Sequence, residues 1–279
     1  MNNTTTSKTT AWNAKDESEQ YSLAKILGLW LVTALPLAFM GWVVFPAVAP
    51  DWGVDPMGVG YARMGTITVA LAWQFILALI IVYREEGDLR WATVRRRLRL
   101  NTPLDPKTGE PRRKLWWWLI PLVILHFVAI LFIAGMLDEL LVKVLPFLAP
   151  PGEGYFLGDF LMSPEAPTYF RGEWGMLGMF LLLAVFNTLG EEFFWRGVML
   201  PKMNGVFGKW DWVANGVIGG IYHLSQPWQI LGSGIFMWTV FFALPAKYFR
   251  STWFPVIIHG SVNVMWSVMI LALILGLIG

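Results

Sequence analysis

Two adjacent carboxylates and an arginine stand in otherwise apolar sequence, in the stretch Asn187-Thr-Leu-Gly-Glu191-Glu192-Phe-Phe-Trp-Arg196-Gly. From residue 174 to the C-terminus the only acidic residues are Glu191, Glu192 and Asp211. An ionised side chain at membrane depth costs at least ~2.5 kcal/mol, so such residues face a protein interior or a wet cavity and commonly serve chemistry there. At about 100° per residue, a helix puts Glu192 and Arg196 on one face, at i and i+4, where opposite charges pair. Glu191 turns away from that pair, onto the face of Asn187 and Trp195. One carboxylate is thereby neutralised and the other is left free to act as a general base.

The three histidines, His126, His223 and His259, also lie in hydrophobic sequence. His259 and Asn263 are at i and i+4, so both point at one spot. His223 comes from another helix, in Tyr222-His223-Leu-Ser-Gln226-Pro227-Trp228. With Glu191 they form a polar set drawn from three helices, which is how sites are built inside helix bundles. The plainer reading of any one of them is an interhelical hydrogen bond worth ~0.6 kcal/mol. His126, with no polar neighbour in its turn, reads as structural. The Glu192–Arg196 pair alone could be a packing device; together with two histidines and an i+4 asparagine, it fits one site better than separate accidents.

The elements that must position these groups are membrane-spanning. With 56% hydrophobic and 14% charged residues, the 279-residue chain falls outside the soluble globular range. Its 17 tryptophans suit helix ends at interfacial belts, and the absence of cysteine excludes disulfides, thiolate zinc sites and a cysteine nucleophile. Apolar runs over Leu23–Ala49, Tyr61–Tyr83, Leu115–Pro146, Gly175–Met199, Trp210–Leu224, Gln229–Phe249 and Trp253–Gly279 predict an all-α polytopic bundle of about seven spans, with eight conceivable. Residues 1–22 are polar, lack the apolar core of a signal peptide, and read as a disordered tail; residues 23–279 read as one membrane domain.

Between the second and third runs, Arg84–Lys114 carries ten basic residues against five acidic ones. The positive-inside rule makes this loop and the N-terminus cytoplasmic in a plasma-membrane protein. A topology signal is the plainer account of the cluster, and no nucleic-acid partner is expected. The connection from Leu137 to Trp174 holds six acidic residues and only Lys143 and Arg171 as basic ones, so it belongs on the opposite side as an ordered loop or cap.

Glu191-Glu192-x-x-x-Arg196, then a histidine in a glycine-rich helix, then His259-x-x-x-Asn263 resemble the three motifs of the CAAX-protease and bacteriocin-processing (CPBP, or Abi) family of intramembrane endopeptidases. The wording around them is similar to the family's bacterial members, and the resemblance is carried by residues 180–265. It implies a membrane-embedded peptidase in which Glu191 and His223 activate water, His259 and Asn263 donate to the oxyanion, and Glu192 and Arg196 hold helix and charge. The substrates implied are membrane-associated: a CAAX-type tail, a pheromone or bacteriocin precursor, or a regulatory membrane protein. One position departs from the pattern: Gly219 stands where the second motif has Phe, which suggests a lateral gap between helices for substrate entry.

Glutamate catalysis without metal is the favoured expectation. Zinc on His223, His259 and Glu191 is the alternative, since that donor set could leave an open position; against it, the chain has no His-Glu-x-x-His helix. Ser225 and Ser261 have no triad context. The cavity is expected to open toward the cytoplasmic side. Two other classes compete. A bacteriocin-immunity or other membrane-binding protein would use the same cluster structurally. A small proton-coupled transporter would use it as a relay, but no inverted repeat of broken helices is visible.

Overall fold

The computed structural model describes residues 19–278. Among the described residues, six helices are long and apolar enough to cross a membrane: α1 (Leu23–Val48), α2 (Pro56–Glu86), α3 (Arg113–Val144), α4 (Trp174–Lys202), α6 (Pro227–Phe249) and α7 (Trp253–Leu275). The segment expected over Trp210–Leu224 is α5 (Asp211–Ile221), whose 11 residues give a rise of only ~16 Å. A helix that short does not span ~30 Å of hydrocarbon alone. It is completed by the irregular Tyr222–Gln226 segment and returns as α6. The only strand-like contact among the described residues is an isolated bridge between Leu104 and Pro111, so the bundle is all-α as expected.

Local chemistry sets the helix ends. Asp55 caps α2 by accepting the Gly58 N–H at 2.8 Å. Gly87 ends it at φ +83°, donating to the Tyr83 carbonyl, in a backbone conformation other residues rarely adopt. Gly190 lets α4 approach α2 closely: a Cβ there would stand 2.7 Å from the Leu71 carbonyl oxygen. Glu191 is therefore fixed at the depth of Leu71, near the middle of α2. Directly after Glu192 the turns of α4 widen into a π-type stretch, Phe193–Met199, a distortion frequent at functional sites.

The arginine-rich end is tightly bonded. Arg97 is buried and donates to Glu85 at 2.7 Å and to the Gly197 carbonyl at 2.9 Å, joining the basic segment to α4. Arg96 pairs with Glu86, and Arg112 with Asp105 at 2.8 Å. Of the tail expected over residues 1–22, residues 1–18 lie outside the described residues. The stretch just before α1 does not fit a disordered tail. Tyr21 is buried, its N–H donates to the Lys202 carbonyl at 2.9 Å and its hydroxyl to Glu85, and Ser22 caps α1 through the Lys25 N–H at 3.2 Å. Burial takes the Tyr21 ring out of water while its hydroxyl keeps a hydrogen-bond partner.

At the other, acid-rich end, the 145–173 connection folds into short helices Leu157–Met162 and Ala166–Phe170 that bury Phe160 and Phe170. Tyr155 packs edge-on against Phe45 and near Trp42 and Trp228. This is the cap expected over the bundle. Asp138 of α3 accepts the N–H groups of Gly232 and Ser233 at 2.7 and 2.9 Å, pinning the start of α6 at that end.

Candidate active site

The three motifs converge. α4 supplies Asn187, Glu191, Glu192 and Arg196; the end of α5 supplies Tyr222 and His223; α7 supplies His259 and Asn263. Glu191 Oε1 lies 3.9 Å from His223 Nε2, and its Oε2 lies 3.8 Å from His259 Nδ1. Both separations exceed a direct hydrogen bond. Tyr222 donates its hydroxyl to Glu191, and His223 Nδ1 lies 3.1 Å from the Gly220 carbonyl oxygen, which orients the ring.

Glu192 and Arg196 form the pair read from the i, i+4 spacing, at 3.3 Å with both side chains wholly buried. The guanidinium also donates to the Trp238 carbonyl at 3.3 Å and lies 4.2 Å above the Trp238 ring. Glu192 has a second partner that the helix face did not reveal: its Oε1 is 3.0 Å from His259 Nδ1. The residue expected to hold helix and charge therefore also orients a site histidine.

His259 Nε2 lies 2.9 Å from Asn187 Oδ1, and Asn263 Nδ2 donates to that same oxygen at 3.0 Å. Asn263 also donates to Thr188 Oγ1 at 2.9 Å. The two groups assigned to the oxyanion thus meet at one oxygen atom, which belongs to the protein itself. Asn187 and Tyr222 were not among the expected site residues. Their signals were available: an amide one turn before Glu191 in an apolar run, and a phenol adjacent to the motif histidine.

Glu191, Asn187, Tyr222 and His223 line a cavity of about 140 Å³, which continues past Ser225, Gln226, Gln229 and Ser233. Ser225 accepts from Arg63, seven residues into α2 from the acid-rich end. The cavity therefore runs from mid-bundle toward the acid-rich end, not toward the arginine-rich end as expected. The physical cause is the seal beneath Glu191, where every residue from Glu192 to Met203 is buried. The lateral gap expected beside Gly219 is also absent. A Cβ on Gly219 would meet the Trp238 ring, with Cζ3 at 2.6 Å, and Trp195 at 3.5 Å. Trp238 fills the volume, and its ring stands edge-on to His223 at 4.9 Å.

His126 is apart from this set. It is buried, its Nδ1 has no hydrogen-bond partner among the described residues, and it packs on Phe241 and Phe242 at 5.2 and 5.4 Å. Among the described residues, the group whose donor atoms come within 4.8 Å of one another, as a metal would require, is Glu191, Glu192 and His259. His223 is not in it, so the expected zinc set of His223, His259 and Glu191 does not assemble in this arrangement. A divalent ion on the assembled set would compete with Arg196 for Glu192.

The polytopic bundle thus holds a carboxylate between two histidines at the edge of a polar cavity. Residues 173–265, about a third of the chain and all of its motifs, match the model of the family described as Type II CAAX prenyl endopeptidase Rce1-like. This bears out the resemblance to CAAX proteases. No curated protein and no solved structure matches the chain.

Proposed function

We propose that the chain is a CAAX-type intramembrane endopeptidase that hydrolyses a peptide bond in a membrane-associated protein or peptide with a water activated by Glu191. One observation carries this reading: Glu191 lies within 3.9 Å of a ring nitrogen of both histidines at the wall of a polar cavity. The gap between Glu191 Oε1 and His223 Nε2 is one that a single shared water can bridge. In the reaction, Glu191 takes a proton from that water as its oxygen bonds to the carbonyl carbon. The carbonyl oxygen becomes an oxyanion, met by His259 and Asn263. When the carbon–nitrogen bond breaks, the proton held by Glu191 passes to the leaving amine. Each oxyanion donor of this kind contributes ~10²–10³ in rate.

Arg196 supplies the positive charge beside the carboxylates, so the reading is metal-free, and a chelator should leave cleavage unaffected. Substrate approaches from the acid-rich end, toward which the cavity runs. With the arginine-rich loop and the N-terminus in the cytoplasm of a plasma-membrane protein, that is the outer side. Pheromone or bacteriocin precursors and regulatory membrane proteins suit this approach better than prenylated cytoplasmic tails.

The test compares new peptide termini, by mass spectrometry, in membranes of cells expressing the wild-type chain or Glu191→Gln at equal levels. Termini that appear with the wild type alone support the reading and name the substrate. Identical termini overturn it.

A further inference from the structure

We infer that the side-chain carbonyl of Asn187 is a placeholder for the substrate's carbonyl oxygen, keeping the two oxyanion donors aligned at rest and giving way when a peptide enters. The inference rests on the hydrolytic reading above. His259 Nε2 and Asn263 Nδ2, one turn apart on α7, reach the same Oδ1 at 2.9 and 3.0 Å. A carbonyl oxygen accepts two hydrogen bonds, and here both come from the groups assigned to the oxyanion. Asn187 Nδ2, by contrast, makes no hydrogen bond among the described residues, and the side chain borders the cavity. The amide therefore sits as a bound peptide amide would, with its oxygen between the donors and its nitrogen free.

Its oxygen is bonded across to α7 while its nitrogen is left to the cavity side. The donors themselves are held from behind: His259 by Glu192 at 3.0 Å and Asn263 by Thr188 at 2.9 Å. They stay in place, while the side chain in front of them is half-buried at the cavity wall and has, among the described residues, only those two side-chain hydrogen bonds to give up. The occupant gives both inward-facing donors an acceptor at rest, and for His259 Nε2 it is the acceptor that the described residues supply. It also competes with substrate: a pocket open only a tenth of the time binds about tenfold more weakly.

The test uses Asn187→Ala in the full chain, with acetamide as probe because it is the excised side chain. Asn187→Ser, which is too short to reach both donors, is carried in parallel so that misfolding of one variant does not decide the matter. The chain has three histidines, so the ¹⁵N resonances of labelled protein in detergent are assignable by substitution. The His259 Nε2 resonance should move in either variant and return toward its wild-type position on adding acetamide, to which the wild type should not respond. In cleavage of the peptide named by the terminus comparison, Asn187→Ala should lower KM by about five- to tenfold, and acetamide should compete with substrate in the variant only. An unmoved resonance, or a fall in kcat with no acetamide competition, overturns the placeholder. A resonance that answers to acetamide in a protein that cuts nothing instead overturns the hydrolytic reading and leaves Asn187 as the occupant of a carbonyl-binding pocket.

Discussion

His126 and His259 lie on different helices, α3 and α7, yet both pack on Phe242, at 5.4 and 5.0 Å between ring centroids. Both sit in apolar sequence and both are largely buried. Around His126 there are phenyl rings and an unpartnered Nδ1. Around His259 each ring nitrogen faces an oxygen, of Glu192 on one side and Asn187 on the other. The residue type is the same and the hydrophobic setting is shared. What separates the two is direction: both nitrogens of His259 face oxygens, and a carboxylate from a third helix holds one of them.

The largest effect is expected where that difference originates. Glu192→Ala removes the carboxylate that faces His259 Nδ1 and leaves Arg196 buried without its ion-pair partner. Breaking one side of a buried pair costs about 3–5 kcal/mol. Denaturant unfolding in mixed micelles should show that loss, and cleavage should fall with it. Stability close to wild type would mean that the pair does not hold the helix.

The two histidines themselves come next. His259→Ala should cut the rate of terminus formation by ~10²–10³, the value of one oxyanion donor, with the protein still folded by size-exclusion chromatography. His126→Leu should leave the rate within about twofold and raise stability, because an unpaired buried polar atom costs about 1–3 kcal/mol. If the two substitutions had equal effects, the distinction drawn from their partners would fail.

A smaller effect probes the aromatic wall that both histidine environments share. Trp238, one turn before Phe242, occupies the space above Gly219. Gly219→Phe should destabilise by about 1–3 kcal/mol through overpacking, and combining it with Trp238→Ala should recover part of that loss. The recovery is read as a coupling energy in a double-mutant cycle. Additive losses would show that the glycine and the tryptophan do not exchange volume.

How far the sequence carried follows from the same contrast. The apolar runs and their flanking charges gave the helices to within a few residues, because helix period and bilayer thickness act locally. Glu192–Arg196 and His259–Asn263 were legible because i, i+4 neighbours lie on one helix. The partner of His259 on Glu192, the Asn187 oxygen shared by two α7 donors, and the Tyr222 hydroxyl on Glu191 are contacts between helices. No spacing within one segment encodes them. Gly219 misled for a related reason: a missing aromatic looks like a gap until Trp238, on the next helix, is seen to fill it. The direction of the cavity depended on burial of the Glu192–Met203 segment by several helices together.

The smallest predicted effect returns to α3. Three turns beyond His126 stands Asp138, also buried and also in apolar sequence, but fully engaged: it accepts from the Gly232 and Ser233 N–H groups and from the Ser233 hydroxyl at 2.7 Å. If partners decide what a polar group does, Asp138 must matter where His126 does not. Its partners are backbone donors at the start of α6, so its role is that of a helix cap supplied from a neighbouring helix. Asp138→Ala should lower stability by about 1 kcal/mol, opposite in sign to His126→Leu on the same helix. Cleavage should change little, since Asp138 itself does not line the cavity. Equal signs for the two substitutions would show that α3 responds to the loss of any polar group, whatever that group is bonded to.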